Sequence, residues 1–281
     1  MKTLVVYCYK EDNDTIINLS FFLKHGVIHN PDYYYVFIVN NMKCSVPIQE
    51  SNQIRVYKRN ENEYDLYSYK WFINHILATE HSFLYMFERY YFANSSCIGP
   101  FIPPIVELNW IEIMNKKLEA YDLIAPIVEF PPDSKGYNYI GINTSLNVPF
   151  LHSYMFGTNN QSIDILIDVL INARDPTQDN VIMLERILTS TFLLRNKKIY
   201  SFLLAFKNID INDMSIWDYK LWNKSSKTCY EIPENYFGID VNPFEVMFIK
   251  NIRKNHAYRA SSISGISNII NSFLNNYTIW Y

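Results

Sequence analysis

The segment Tyr90-Tyr91-Phe92-Ala93-Asn94-Ser95-Ser96-Cys97-Ile98-Gly99-Pro100-Phe101 is the strongest constraint on the fold of this chain. Its aromatic, apolar start reads as a strand covered on both faces. Asn94, Ser95 and Ser96 end the run abruptly, and Gly99-Pro100 turns the chain away. A strand buried on both sides needs layers above and below it, which points to an α/β architecture. Ligands of open α/β sheets bind at the carboxyl edge of the strands, where this polar turn would lie.

The flanking pattern agrees. Strands are predicted at Leu4–Tyr9, Tyr33–Val39, Ile54–Tyr57, Ser82–Phe87 and Tyr90–Ala93, the last one central. Helices are predicted at Thr15–Gly26, from the spacing of Ile16, Leu19, Phe22 and Leu23, and at Tyr67–Thr79. Alternation of strands and helices implies a largely parallel sheet. The second half is less regular. Helices are predicted at Trp110–Leu118, Ser162–Ile171, Asp179–Leu194 and Asn242–Arg253. Strands are predicted at Leu123–Ile127, Phe150–Phe156 and Ile199–Leu204. Pro131–Gly136 reads as a loop and a plausible flap. Ile263, Ile266, Ile270 and Phe273 mark one face of a helix over Ser261–Asn276, read as core before membrane surface or dimer contact. No linker divides the chain, so one domain with C-terminal additions is expected: residues 1–255, then a helical extension over 256–281.

Bulk properties remove several classes. A net charge of −3 gives no basic field, so nucleic acid is not an expected partner. Cys8, Cys44, Cys97 and Cys229 form no close pair and suit reduced thiols, neither a disulfide framework nor a zinc site. No apolar run spans a membrane, and Met1–Tyr7 is too short for a signal peptide. The expectation is a soluble, cytoplasmic protein, with peripheral membrane contact left open. Glycine-rich dinucleotide and P-loop motifs are absent, as are the metalloprotease and serine-hydrolase signatures.

Isolated carboxylates and cations remain. Asp65 follows the third strand, where a carboxylate suits a ribose or a base; a helix N-cap is the other reading. Glu185 sits among Val181, Ile182, Leu184, Ile187 and Leu188, so it is either a buried carboxylate with a task or a solvated edge. Lys250 and Arg253 would share a face of the Asn242–Arg253 helix and could neutralise a diphosphate, or form an ordinary basic surface.

In this order the segments resemble the GT-A-fold glycosyltransferases of the rhamnan-synthesis-type and large-DNA-virus group. The resemblance runs over roughly residues 3–253. It rests on Arg59 to Asp65, on Phe92 to Pro104, on Leu151-His152-Ser153-Tyr154-Met155-Phe156-Gly157-Thr158-Asn159, on Glu185-Arg186-Ile187-Leu188-Thr189-Ser190, and on Asn242 to Arg253. Departures are clear. Glu61 and Glu63 replace an Asn and a Gly, Ile98 replaces an Arg, and Arg186 replaces a second acid. Asn94-Ser95-Ser96 stands where Asp-x-Asp is usual.

The resemblance implies a GT-A-like, Rossmann-like sheet flanked by helices and an inverting transfer of a monosaccharide from a nucleotide-sugar donor to a glycan hydroxyl. It implies donor contacts from Tyr7, Tyr9, Arg59, Asp65, Asn94, Ser95, Ser96, Lys250 and Arg253. Glu185 would be the base and His152 the reserve base or phosphate contact. A hard cation prefers carboxylate oxygens, so Mn²⁺ or Mg²⁺ would have to be carried mainly by the donor diphosphate. Metal ligands are not assigned. The alternatives are a degenerate nucleotide-sugar- or carbohydrate-binding protein and, behind it, a nucleotidyltransferase.

Overall fold

The computed structural model describes residues 1–61, 63–130, 149–174, 176–213, 215 and 241–250. All of them belong to one compact unit, Met1–Asn251. The predicted loop at Pro131–Gly136, the predicted helix at Ser261–Asn276, the extension 256–281 and Arg253 lie outside the described residues.

Eleven strands occur among the described residues: β1 (Thr3–Lys10), β2 (Tyr33–Asn40), β3 (Ile54–Lys58), β4 (Arg89–Asn94), β5 (Cys97–Ile98), β6 (Leu123–Ala125), β7 (Val128–Glu129), β8 (Phe150–Leu151), β9 (Met155–Asn159), β10 (Ile199–Ser201) and β11 (Ile249–Lys250). Seven form one sheet in the order β10-β6-β9-β4-β1-β2-β3, with β4 in the middle. All neighbours are parallel except β9, which runs antiparallel to both β4 and β6. The pairs β7/β8 and β5/β11 lie outside this sheet. β1 and β4 are apolar almost throughout because both of their faces are covered.

The helices are α1 (Asn13–His25), α2 (Asp65–Thr79), α3 (His81–Leu84), α4 (Trp110–Leu118), α5 (Ile163–Ile171), α6 (Gln178–Leu194) and α7 (Pro243–Val246). Asp12 starts α1 with a capping box shared with Thr15, and Asn109 does the same for α4 with Glu112. Strand alternation sorts the two layers. Tyr91 of β4 meets Trp110 of α4, which also contacts Phe22 of α1. Phe92, one residue on, meets Tyr69 of α2 on the other face and stacks on Phe156 of β9. Gly157 lies opposite Tyr91 in the β4/β9 register, and a Cβ there would come within 2.4 Å of the tyrosine ring.

Three predicted elements are corrected. Ser82–Phe87 is not a strand; its start belongs to α3. Phe83, Leu84 and Phe87 are buried while the adjacent Tyr85 and Met86 are both exposed, a pattern that strand alternation cannot produce. Phe150–Phe156 is not one strand. The chain pairs with β7 as β8, leaves at His152-Ser153-Tyr154, and re-enters the main sheet as β9. Asn242–Arg253 is not one helix. Asn242 caps α7 by accepting from Phe244 N, but α7 ends at Val246, and Met247 after it has a φ of +64°. Ile249–Lys250 then pairs with β5.

Candidate functional site

β1 lies between β4 and β2. The chain moves outward from β1 to β2 and β3, then returns to the other side of β1 as β4. Adjacent connections thus leave β1 and β4 in opposite directions, which makes their carboxyl ends a topological switch point. Ser95 N donates to Cys8 O at 2.9 Å across this point, and Asn18 Nδ2 of α1 donates to Ser95 O at 2.8 Å. Ser95 is therefore a buried brace between the two strands.

Asn94 is the last residue of β4 and has the same parity as Phe92, so its side chain faces the α2 layer. Asp65 is the first residue of α2, with Tyr64 at the N-cap position. The N-cap reading of Asp65 is therefore off by one residue, although its Oδ1 does accept from Leu66 N at 2.9 Å. Asp65 Oδ2 accepts a short hydrogen bond from Asn94 Nδ2 and a second, of 2.9 Å, from Ser153 Oγ. Asn94 Oδ1 accepts from both the amide and the hydroxyl of Ser96. The amide of Asn94 is thus fully oriented, with its oxygen held inside the turn and its nitrogen held on a carboxylate.

Ser153 is buried in the turn between β8 and β9. Because β9 runs antiparallel to β4, the segment entering it arrives at the carboxyl end of β4. Ser153 N donates to Glu185 Oε1 at 2.7 Å. Glu185 is the buried reading of the two left open by the sequence, with 9% of its surface exposed. α6 is fastened to β8 one turn later, where Thr189 Oγ1 accepts from Leu151 N at 3.0 Å and donates to Glu185 O at 3.1 Å. Hydrogen bonds therefore run without a break from Ser96 through Asn94, Asp65 and Ser153 to Glu185.

His152 lies next to Ser153 but pairs with Glu129, its Nε2 3.2 Å from Glu129 Oε1, with both residues buried. Arg186, beside Glu185 in the chain, places its guanidinium 5.4 Å over the ring of Phe150.

Lys250 sits opposite Cys97 in the β5/β11 register, beside the Asn94-Ser95-Ser96 turn. Residues directly opposite in an antiparallel pair project to the same face, and Lys250 and Asp65 both act electrostatically on the Cys97 thiol. Lys250 is half-buried and has no carboxylate partner among the described residues. The β5/β11 contact is close. A Cβ on Gly99 would come within 2.5 Å of Met247 O, and Gly99 has φ +154°.

Arg59 follows β3 and is buried. Its Nε is 3.2 Å from Glu61 Oε2, its Nη2 is 2.8 Å from Glu63 Oε2, and its guanidinium lies 4.7 Å over Trp71. Nη1 is buried without a hydrogen bond. Glu61 and Glu63, two of the departures noted in the sequence, thus neutralise Arg59.

Tyr7 and Tyr9 are not with this group. Both have the opposite parity to Cys8, and Tyr7 packs on Phe22 and Phe37 in the α1 layer. Burial pushes the Tyr7 hydroxyl far above its ordinary range. Tyr9 is fully buried, with its hydroxyl 3.4 Å from Glu11 Oε2. Cys8 faces α2, near Asn40 and Ser68, which bond to each other at 2.9 Å. Burial pushes the Cys8 and Cys97 thiols up to about 12 each, so both stay protonated at neutral pH.

Among the described residues no group of three or more His, Cys, Asp or Glu side chains is arranged to hold a metal ion. Asn94 Oδ1, the oxygen nearest in kind to a metal ligand in the turn, is already occupied by two donors from Ser96. These residues do not fit a resident divalent cation. No described helix is long and apolar enough to cross a membrane.

Sequence reasoning missed Ser153, Asn40 and Ser68. Ser153 stood within a motif already singled out, but nothing in its neighbours signals contacts with residues as remote as Asp65 and Glu185. No protein-family model and no curated protein matches this chain.

Proposed function

We propose that the chain is a glycosyltransferase that moves a monosaccharide from a nucleotide-sugar to a hydroxyl of a glycan acceptor. One observation supports this most. Asp65, Asn94, Ser153 and Glu185, drawn from four segments of the family-like pattern, join in one hydrogen-bonded chain at the switch point between β1 and β4.

The reaction forms a bond from the acceptor oxygen to the anomeric carbon and breaks the bond from that carbon to the nucleoside diphosphate. The acceptor proton goes to Glu185. Its Oε1 is held by Ser153 N, and Oε2 has no hydrogen bond among the described residues and takes the proton. The diphosphate leaves with its negative charge facing Lys250. Asp65 accepts from hydroxyl groups of the donor. Arg59 is neutralised by two carboxylates and buried at Nη1, so it takes no share of the diphosphate charge. No step is assigned to a metal ion.

A thermal-shift screen with UDP, GDP, dTDP and CMP, each with and without Mn²⁺, tests the binding half, since a ligand of the folded form raises Tm. One of the four is expected to raise it without Mn²⁺. If none does under either condition, the reading fails. Glu185→Gln tests the chemical half. Sugar transfer should fall by about two orders of magnitude or more, with nucleotide affinity retained. Unchanged transfer would remove Glu185 as the base.

A second reading has one observation in its favour. Glu185 is buried and holds the 152–154 turn in place, which is also what a carboxylate of a non-catalytic nucleotide-sugar-binding protein would do. Slow release of free nucleotide from the donor separates the two, because only an enzyme produces it.

A further inference from the structure

One member of the chain of hydrogen bonds touches both carboxylates of the reaction above. Ser153 is 5% exposed, yet both of its donors are directed at carboxylates: Oγ at Asp65 Oδ2, 2.9 Å away, and N at Glu185 Oε1, 2.7 Å away. Its neighbours fasten the same turn to the sheet. Tyr154 O accepts from Asn94 N at 2.9 Å, and His152 N donates to Ile127 O at 3.3 Å. Ser153 therefore sits on a backbone fixed on both sides.

The bonding capacity left over is one-sided. An ionised carboxylate only accepts, with about four lone-pair positions over its two oxygens. On Asp65, Oδ2 takes Asn94 and Ser153 while Oδ1 takes only Leu66 N among the described residues. On Glu185, Oε1 takes Ser153 N and Oε2 takes nothing among the described residues. A ligand group at this end must donate, which suits a hydroxyl and rules against an ionised phosphate. Lys250, a cation with no carboxylate partner among the described residues, lies opposite Cys97, just past the Asn94-Ser95-Ser96 turn.

We propose that Ser153 is a positioning residue that holds Asp65 and Glu185 as paired acceptors for ligand hydroxyls, so that the ligand lies with its polyol part at Ser153 and its phosphate part at Lys250. The proposal rests on the nucleotide-sugar reading and adds to it a direction for the ligand. Ser153→Ala deletes the bond to Asp65 and leaves the backbone bond to Glu185 intact, so the two carboxylates are separable. The Asp65 half governs affinity, and the Glu185 half governs proton transfer.

The test titrates the full chain, as wild type, Ser153→Ala, Ser153→Cys, Ser153→Thr and Lys250→Ala, with UDP, GDP, dTDP and CMP and with their nucleosides. Ser153→Ala is expected to weaken nucleotide and nucleoside alike by about tenfold, the usual effect of losing a hydrogen bond to a charged group. Lys250→Ala should weaken the nucleotide alone. Ser153→Thr keeps the hydroxyl and should restore affinity. In turnover assays Ser153→Ala should raise the donor KM with the pH profile of kcat unmoved, a split that loss of structure would not give. Should Ser153→Ala not fold, the near-isosteric Ser153→Cys, a weak donor, carries the same expectation.

Wild-type nucleoside affinity in Ser153→Ala overturns the proposal while leaving the glycosyltransferase reading standing. So does a loss that Ser153→Thr fails to restore. Absence of any ligand effect on the wild type overturns the reading itself, and this proposal with it.

Discussion

Asp65 and Glu185 are tied to each other through Ser153, which gives its hydroxyl to the first at 2.9 Å and its amide to the second at 2.7 Å. One carboxylate opens α2, and the other lies within α6. Neither helix places its carboxylate against the other without the turn between β8 and β9. The geometry of the site is therefore set by a sheet register, because β9 reaches the rim only by running antiparallel to β4.

Asp65→Asn tests the centre of this arrangement. An amide in place of the carboxylate can still accept through one oxygen, but its nitrogen then faces a donor, either Leu66 N or the pair Asn94 and Ser153. A clash of donors at a half-buried position costs about 1–3 kcal/mol. A fall in urea-unfolding stability of that size is expected, together with loss of nucleotide binding. Unchanged stability would show that the three bonds are not all made in solution.

Gly99→Ala probes the support under Lys250. The new Cβ would lie 2.5 Å from Met247 O and 2.6 Å from the Phe248 ring, at a φ that side chains disfavour. We expect a loss of about 1–3 kcal/mol and faster amide exchange at Lys250, whose strand would be pushed off β5. A drop in stability without altered exchange at Lys250 would separate the glycine from the placement of the lysine.

Gly157→Ala strikes the sheet itself, where the added methyl would meet the Tyr91 ring at 2.4 Å. Overpacking at a core position of this kind costs about 1–3 kcal/mol. Near-UV circular dichroism should register the displaced tyrosine, and calorimetry the lower Tm.

Cys8 and Cys97 should resist alkylation. Burial pushes each thiol up to about 12, so the reactive thiolate is scarce at pH 8 and the sulfur is covered as well. Iodoacetamide followed by peptide mass spectrometry should find both unmodified in the native protein and both modified in urea. Rapid native labelling of either would contradict the packing at the switch point.

Glu11 gives the chain a defined acid response. The amide of Ser45, and then the ammonium of Lys43, hold its carboxyl at about 2 instead of 4.5. A pKa depressed by folding contributes stability that is present above the unfolded value and is lost as pH falls through the folded one. Glu11→Gln should therefore lower Tm at pH 7, and the gap to wild type should close between about 4.5 and about 2. A gap that stays constant over that window would mean the charge of Glu11 plays no part.

Much of the fold was legible in the sequence. The strand ending at Asn94 lies in the middle of the sheet, and α1, α2, α4, α5 and α6 occur where apolar spacing placed them. These elements were readable because burial on one or both faces writes itself into local periodicity. Short elements were not. Phe83 and Leu84 suit a strand as well as one helical turn, and the break at Met247 depends on pairing with Cys97 and Ile98, far away in the chain.

The candidate site divides along the same line. Local pattern is enough to find the polar residues that bound elements at the rim: Asp65, which opens α2, and Asn94, Ser95 and Ser96, where β4 stops. It could not assign faces, because strand parity matters only once the layers are known. Packing of the two helical layers turns Cys8 and Asn94 toward α2 and Tyr7 toward α1, so Tyr7 is core and Asn94 meets Asp65. The reach of Ser153 to both carboxylates likewise comes from packing, because hydrogen bonds between distant segments depend on register and leave no local pattern for a sequence to show.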